Sequence, residues 1–422
     1  GPGYRRDFAP HHVSTGTLAP ELSPFDAEFR QFMERQPIPG AAVAVTANGQ
    51  LKYARGFGYA DLANRIPVQP DNLFRIASVS KPITAVAILQ LVEQGRLRLD
   101  EPVWEVLDFD AAIAAEPAFD KRQRDITIRR LLEHRGGWDR DESFDAMFQS
   151  VRFARELGVD PPAGPREVML RMLAQPLDFD PGERYAYSNY GYCLLGRVIE
   201  QRSGLPYEEY VRQHILRPLG IETMRLGRTR APGRSDHEVR YYHPRQDESV
   251  FADNLEQPVP SPYGGWYLEA MDSHGGWLAS AVDLAKFAAA FDDPNASPLL
   301  SRQSIDQMYG RPPGQAGYND AGEPKEVYYS LGWQNRVLGA DRSNHWHNGS
   351  LPGTATILIR RSDGVNLIAL LNTRVSPSVE NLGRELDRTL HRAANAVQAW
   401  PAHDLFEELD GAEPHRSQSS PE

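Results

Sequence analysis

Ser78 and Lys81 stand three residues apart in the segment FRIASVSKPITAVAIL, where a polar stretch passes into a long apolar one. Residues three apart share one face of a helix, so a hydroxyl and an amine would lie within reach of each other in its first turn. Pro82 suits that turn, because the first N–H groups of a helix have no intrahelical partners. The positive end of the helix dipole would stabilise an oxyanion and disfavour a protonated lysine. The pair could therefore supply a nucleophile and its base.

The same pair also has a purely structural interpretation. Serine is a favoured first residue of any helix. A chain with five lysines contains one serine–x–x–lysine by chance about a third of the time. Ser78 alone therefore indicates a helix cap as readily as a nucleophile, and other motifs must decide.

A second candidate motif, Tyr187-Ser188-Asn189, lies in YAYSNYGY just ahead of a helix that we predict to begin near Tyr190. A tyrosine beside a lysine can have its pKa lowered, and it can carry a proton between nucleophile and leaving group. Asn189 offers an amide to a substrate carbonyl or to the lysine. Aromatic packing is the alternative, and it is the interpretation we give to Tyr185, Tyr190 and Tyr192.

A third candidate motif lies in HWHNGSLPGTATILI. Strand alternation places His345, His347 and Gly349 on one face and Trp346 on the other. A glycine lets a substrate approach the strand closely, and the next N–H, that of Ser350, could be an oxyanion donor. Two histidines on an edge strand are the structural alternative.

Hydrophobic patterning predicts the elements that position these motifs. Two strands joined at Asn48-Gly49, a tight-hairpin signal, precede the first motif. Helices and long polar loops dominate from about 97 to 260. Strand segments then return, followed by an amphipathic helix over 378–397; the segments are VYYSLGWQ, SNHWHN, TATILIRR and VNLIALLN. Early and late strands around a helical excursion predict an α+β fold with one antiparallel sheet flanked by helices and an inserted all-helical domain.

The predicted domains are discontinuous in the chain. Residues 21–96 and 265–400 would form the sheet domain and 97–264 the helical domain, with 401–422 a loosely ordered tail. Segments 228–260 and 310–326 are rich in proline, glycine and charge, which predicts rim or lid loops.

Composition excludes several classes of partner. The 422 residues are 41% hydrophobic and 24% charged, as expected of a globular chain. A net charge of -11 argues against nucleic acid and anionic lipid as partners. No apolar run approaches the roughly 18 residues of a membrane span.

The single cysteine, Cys193, excludes an internal disulfide framework. Gly1-Pro2 resembles a protease scar, so an export signal could have been removed, and both the compartment and the oligomeric state stay open.

Together, Ser78-Val79-Ser80-Lys81, Tyr187-Ser188-Asn189 and His347-Asn348-Gly349, in this order, resemble the serine β-lactamase and penicillin-binding protein superfamily. The branch most similar is that of class C β-lactamases, family VIII carboxylesterases and related D-peptidases. The resemblance runs from about 37 to 392 and includes ITIRRLLEHRGGW and HGGWLASAVDLAKF. It implies an active site in the cleft between the sheet domain and the helical domain.

The resemblance also implies roles, carried over by position. Ser78 would be the acylated nucleophile and Lys81 its proton acceptor or electrostatic partner. Tyr187 would be the general base and acid, and Asn189 would bind substrate. Which of Lys81 and Tyr187 takes the first proton stays open, because coupled groups share their titration. The remaining implied residues are His347 and Gly349 in the third motif and, as oxyanion hole, the N–H groups of Ser78 and Ser350.

One position departs from part of the family. His347 stands where many β-lactamases have a lysine that holds the substrate carboxylate. A histidine is largely neutral at pH 7 unless its pKa is raised, so neutral esters or amides are better candidates than penicillin-type carboxylates. Histidine also occurs at this position in D-amino-acid peptidases of the superfamily.

We therefore predict a serine hydrolase that acts on small carboxylic esters through an acyl-enzyme. The alternatives are a β-lactamase, a D-amino-acid peptidase or amidase, and a non-hydrolytic penicillin- or peptide-binding sensor that is acylated at Ser78. The sequence has no GxSxG, HExxH or GxxxxGKS/T motif, and we predict no cofactor. His345 and His347 could chelate a metal with a third histidine, but nothing in the spacing requires it, and we predict no metal site.

Overall fold

The computed structural model describes residues 9–410 of the chain. Gly1-Pro2 and residues 411–422 of the predicted tail lie outside these described residues. The strands are β1 (Ser14–Gly16), β2 (Gly40–Ala47), β3 (Gln50–Asp61), β4 (Ile66–Pro67), β5 (Phe74–Arg75), β6 (Arg225–Leu226), β7 (Gln246–Glu248), β8 (Pro258–Pro260), β9 (Trp277–Ala279), β10 (Val327–Tyr329), β11 (Gln334–Gly339), β12 (Arg342–Leu351), β13 (Thr354–Arg360) and β14 (Val365–Leu371). The α-helices are α1 (Ser23–Arg35), α2 (Ser80–Glu93), α3 (Val103–Val106), α4 (Asp110–Ala114), α5 (Ile128–Leu132), α6 (Ser150–Leu157), α7 (Pro165–Met172), α8 (Asn189–Ser203), α9 (Tyr207–Val211), α10 (Asp272–Gly275), α11 (Ala281–Ala289), α12 (Arg302–Met308), α13 (Gly383–Ala396) and α14 (Leu405–Asp410).

A nine-stranded antiparallel sheet joins the two ends of the chain. Its order is β1-β3-β2-β14-β13-β12-β11-β10, with β4 beside β3. The early strand β2 pairs along its length with the late strand β14. The predicted α+β class, with an antiparallel sheet flanked by helices, is confirmed.

The hairpin between β2 and β3 follows the sequence signal. Asn48 and Gly49 have φ angles of 53° and 73°, the conformation of a two-residue turn whose twist matches the strands. Both faces of β2 are buried, because Val43 and Val45 face one hydrophobic core while Ala42 and Ala44 face the other.

Helices cover the sheet on both faces. On one face α1 packs against α13, and both contribute to the smaller core. On the other, α11 packs on β2 and β14 and shares the larger core with α2 and α8. Helix α2 is apolar nearly all round and is buried from Ser80 to Leu91. No helix within residues 9–410 has the length and apolar character needed to cross a bilayer.

The segment VYYSLGWQ contains β10 and only the first residue of β11, rather than the single strand predicted. The first, β10, ends at Tyr329 and β11 begins at Gln334, with Gly332 between them at a φ of 87°. A Cβ on Gly332 would lie 2.6 Å from the Cβ of Ala85 in α2. Only glycine allows both this backbone conformation and this close approach to the helix, so the chain turns here.

The final helix is shorter than the predicted 378–397. It begins at Gly383, because polar groups ahead of it bond the backbone in non-helical ways. The Ser376 N–H donates to the oxygen of Val379 at 2.8 Å, and Asn381 Oδ1 accepts the Gly383 N–H at 2.9 Å.

The division into 21–96 with 265–400 and 97–264 remains a proposal. Helices α3 to α9 fall within 97–264, together with three short strands. One of them, β6, pairs with β9 from the later segment, and the larger core runs through both proposed domains.

The part of the predicted tail that is described packs on β3. Asp404 Oδ1 accepts the Leu51 N–H at 3.0 Å, and the carbonyl of His403 accepts a hydrogen bond from Lys52 Nζ at 2.9 Å. Leu405 is buried. These contacts tie the first residues after 400 to the sheet.

Candidate active site

Ser78 lies in a single 3-10 turn, Ala77–Val79, directly ahead of α2. The helix that was predicted to start near Ser78 therefore begins two residues later. Ala77 has a φ of 49°, a left-handed conformation that costs a non-glycine residue about 1–3 kcal/mol and often marks a functional site. Of the two neighbouring serines, Ser78 lines a cleft, whereas Ser80 is fully buried and its Oγ accepts the Trp277 N–H at 3.3 Å.

The amine of Lys81 has three polar partners. Its Nζ lies 2.8 Å from Asn189 Oδ1, 2.9 Å from the carbonyl oxygen of His274 and 3.1 Å from Ser78 Oγ. Complete burial lowers the pKa of Lys81 well below its ordinary value. A neutral amine has two N–H donors and one lone pair. The amide and carbonyl oxygens can only accept, so in the neutral form of Lys81 they would use both donors and leave the lone pair for the hydroxyl of Ser78.

Tyr187 also lies within hydrogen-bonding reach of Ser78, a contact that lowers its pKa slightly. Its ring centroid lies 4.6 Å from Lys81 Nζ and 4.3 Å from the ring of His134. Burial raises the pKa of Tyr187 above its ordinary value, the opposite of the lowering that the sequence suggested. The reason is desolvation, which outweighs the opposing effects of the hydrogen bond to Ser78 and of Arg140. Tyr187 is therefore a protonated phenol.

The side-chain amide of Asn189 accepts a hydrogen bond from Lys81 through its oxygen and donates one to Asp145 through its nitrogen. Its Nδ2 donates to Asp145 Oδ2 at 2.8 Å, which fixes Oδ1 toward Lys81. Asp145 Oδ1 also accepts the Met147 N–H at 3.0 Å. Sequence reasoning missed Asp145. Its position ahead of a short helical turn is readable as a cap, but its contact with Asn189, 44 residues away, has no local signal.

A second missed residue, His134, holds the turn that carries Tyr187. Its Nδ1 accepts the Ser188 N–H at 3.0 Å, and its ring lies 4.4 Å from that of Tyr329. Burial lowers the pKa of His134 well below its ordinary value, so the imidazole is neutral. The only sequence hint was its place in LLEHRGGW.

His347 is neutral as well, and its two nitrogens are both occupied. Its Nδ1 donates to the carbonyl oxygen of Asn348 at 2.7 Å, so its Nε2 must accept the Tyr329 hydroxyl at 2.8 Å. Burial, with a smaller effect of Lys81, lowers the pKa of His347 to about 3. The third motif therefore brings no fixed positive charge into the cleft.

The predicted alternation along β12 is observed, but its two histidines have different surroundings. His345 stacks on Tyr309 with ring centroids 3.6 Å apart, and its Nδ1 lies 2.6 Å from Asn335 Oδ1. Trp346 packs on the opposite face of the sheet. Within residues 9–410, no group of three or more histidine, cysteine, aspartate or glutamate side chains is arranged to hold a metal ion.

Gly349 is where β12 meets the turn that carries Ser78. A Cβ on Gly349 would lie 2.4 Å from the carbonyl oxygen of Ile76 and 2.9 Å from the backbone nitrogen of Ser78. Thr356 on β13 donates to the same Ile76 oxygen at 2.8 Å, which ties the sheet to the turn. The absence of a side chain at Gly349 thus lets β12 approach the backbone of the Ser78 turn closely, one residue before Ser350.

We expect Gly349→Ala to lower turnover by about 100-fold, because the new methyl group would push β12 away from the Ser78 turn and separate the two N–H donors. Gly191→Ala is the matched control, since a Cβ at that buried helical glycine meets nothing closer than 3.6 Å. Steady-state kinetics with a melting curve for each variant make the comparison. Full activity of a folded Gly349→Ala protein would show that this close approach is not needed.

These residues surround one cleft with a volume of about 750 Å³. Six of the seven predicted site residues line it, namely Ser78, Tyr187, Asn189, His347, Gly349 and Ser350. Lys81 lies buried behind Ser78. The segment 139–166 contributes Asp141, Asp145 and Phe148 to the wall. A hydroxyl beside a buried lysine amine and a protonated phenol is an arrangement suited to acyl transfer.

Comparisons with known proteins agree with this geometry. A family model described as Beta-lactamase matches residues 25–391. Penicillin-binding protein 4* of Bacillus subtilis (strain 168) is 27% identical over 385 residues, which make up 90% of this chain and 76% of that protein. Esterase EstB of Burkholderia gladioli is 33% identical over 259 residues, 60% of this chain and 62% of the esterase. The structure of the octameric penicillin-binding protein homologue from Pyrococcus abyssi has a TM-score of 0.64 at 25% identity, covering 85% of this chain and 75% of that one.

Proposed function

The chain belongs to the beta-lactamase family of serine hydrolases, and from this premise we propose that it hydrolyses small carboxylic esters through an acyl-enzyme on Ser78. The observation that carries the proposal is the 3.1 Å contact between Lys81 Nζ and Ser78 Oγ, made while two further oxygens hold the amine in place. Burial disfavours the charged form of this amine, which favours its use as the base that takes the proton of Ser78.

In acylation, Ser78 Oγ attacks the ester carbonyl and its proton passes to Lys81 Nζ. The negative charge that develops on the carbonyl oxygen is stabilised by the N–H groups of Ser78 and Ser350. The C–O bond to the leaving alcohol then breaks. Tyr187 gives its proton to the departing oxygen and recovers one from the protonated Lys81. Both residues thereby return to their starting protonation states. The raised pKa of Tyr187 supports this order, with the amine as first acceptor and the phenol as acid.

Deacylation repeats these steps with water in place of the alcohol. Water attacks the acyl carbonyl, its proton passes through Tyr187 and Lys81, and Ser78 leaves as a restored hydroxyl. Asn189, held by Asp145, keeps the amine in place throughout.

Two features favour esters over the alternatives. Neutral His347 provides no cation at the position where many family members hold a β-lactam carboxylate. In addition, a relative over part of the chain is named an esterase. An alkoxide or phenoxide also leaves more readily than an amide nitrogen, so one protonated tyrosine suffices as acid.

The test is a panel of three chromogenic substrates, namely 4-nitrophenyl butyrate, a cephalosporin and D-alanine 4-nitroanilide. We expect many turnovers on the ester and, in rapidly quenched samples, a butyryl group on the peptide that contains Ser78. Turnover confined to the cephalosporin or the anilide would replace the esterase by a β-lactamase or an amidase. A burst that stops after one equivalent on every substrate would identify a sensor.

A further inference from the structure

Arg374 follows β14 by three residues and reaches the wall of the active-site cleft. It is half-buried, and its Nε is completely buried without a hydrogen-bond partner. Its guanidinium forms no hydrogen bond or ion pair with any residue from 9 to 410. The other arginine of the cleft wall, Arg140, differs, because it lies 3.8 Å from Asp145.

Arg75 and Arg360 also have a buried Nε without a partner, but the other nitrogens of their guanidinium groups are paired, unlike those of Arg374. Arg55 is 3.0 Å from a carboxylate oxygen of Asp26, and Arg360 is 3.1 Å from Asp292. Arg75 donates to three backbone carbonyl groups. A guanidinium group has five N–H donors and a permanent positive charge, and leaving it unpaired when it is partly buried costs free energy. The unpaired guanidinium of Arg374 in the cleft wall therefore indicates a site for an acceptor.

The charges around Arg374 do not supply that acceptor. Burial and the neighbouring Arg245 lower the pKa of Arg374 from its ordinary value, which outweighs the opposing effect of Asp247 and Glu380. Neither acid forms an ion pair with Arg374 within residues 9–410. The guanidinium therefore remains a cation whose charge is left uncompensated by the protein.

The position of Arg374 separates it from the third motif. Leu371, the last residue of β14, pairs with Ala355 just after the turn that follows β12, and Arg374 follows that strand end, whereas His347 lies within β12, four residues before Leu351. The neutral His347 therefore provides no positive charge at the third motif. The guanidinium of Arg374 provides one elsewhere in the cleft wall.

We propose that Arg374 binds a carboxylate of the substrate. The substrates would then be esters whose acyl chain ends in a free carboxylate, and that carboxylate would lie against Arg374 in the cleft wall. This inference rests on the proposed esterase function and names its substrate class, half-esters of dicarboxylic acids. A carboxylate would accept two parallel hydrogen bonds from the guanidinium fork and neutralise its charge. The subsite acts on binding and orientation, and the covalent steps at Ser78 are unchanged.

The test compares 4-nitrophenyl hexanoate with mono-4-nitrophenyl adipate, which have the same chain length and differ in the terminal carboxylate. We expect Arg374→Gln to lower kcat/KM for the adipate at least about 10-fold, mainly through KM, and to leave the hexanoate within about twofold. Arg374→Lys, which keeps the charge but loses the fork, should fall between. Arg384→Gln, an exposed arginine on α13 outside the cleft wall, is the control for net charge. Equal losses on both substrates, or no loss on either, would overturn the subsite.

A binding measurement separates failure of the subsite from failure of the esterase. The stable ligands adipic acid monoanilide and hexananilide are titrated calorimetrically into Ser78→Ala and into the Ser78→Ala, Arg374→Gln double variant. Tighter binding of the carboxylated anilide that disappears in the double variant would retain the subsite even if no ester were hydrolysed. Equal affinity of Ser78→Ala for both anilides would exclude it.

Discussion

Ser78→Ala should lower kcat on 4-nitrophenyl butyrate by at least about 10⁴-fold, because Ser78 is the cleft hydroxyl that contacts Lys81, whereas Ser350 contacts Asn381 instead. The neighbouring Tyr187 is a protonated phenol and Lys81 has no open path past the serine to the substrate, since it lies buried behind it. The acylated peptide should vanish together with turnover. Initial rates and mass spectrometry of quenched protein measure the two effects.

Ser80→Ala is the matched control for this substitution. Ser80 is two residues away, fully buried, and bonded to the Trp277 N–H rather than exposed to the cleft. Its loss should leave kcat within about threefold and cost only the hydrogen bond, about 1 kcal/mol of folding free energy. If Ser80→Ala abolished turnover while Ser78→Ala kept it, the nucleophile would have to be reassigned.

Much of the site could be predicted because its parts are local. Three short motifs carried Ser78, Lys81, Tyr187 and His347, and local rules placed each of them: first-turn spacing for the lysine, a helix start for the tyrosine, and strand alternation for the histidine. The hairpin at Asn48-Gly49 and the buried helix α2 follow from rules of the same kind.

What sequence reasoning missed depends on contacts between distant segments. The hydrogen bond from Asn189 to Asp145 and the one from Ser188 to His134 join residues 44 and 54 positions apart. The chain turns at Gly332 because that glycine packs closely against α2, and the neighbouring residues in the sequence do not indicate this contact. The direction of the Tyr187 pKa shift was missed for a related reason, since burial is a property of the assembled core.

Lys81→Met should lower kcat by at least about 10³-fold, because the serine loses the base that takes its proton. The pH dependence gives a sharper test. Burial holds the pKa of Lys81 well below that of an ordinary lysine, and only the neutral amine can accept a proton. The rate of the wild-type protein should therefore rise with pH through this lowered pKa and level off far below the ordinary lysine range. His347, with a pKa of about 3, cannot produce that limb.

Lys52→Met provides the control, because Lys52 is also buried but bonds Gln50 and His403 at the sheet, and it is absent from the cleft wall. Lys52→Met should keep kcat within about twofold.

If Ser78 and Lys81 act as one unit, the double variant Ser78→Ala, Lys81→Met should be no slower than Ser78→Ala alone, because the base has no proton to accept once the hydroxyl is removed. Additive losses in the double variant, or an unchanged acidic limb in Lys81→Met, would show that Lys81 supports the fold of the site rather than the proton transfer.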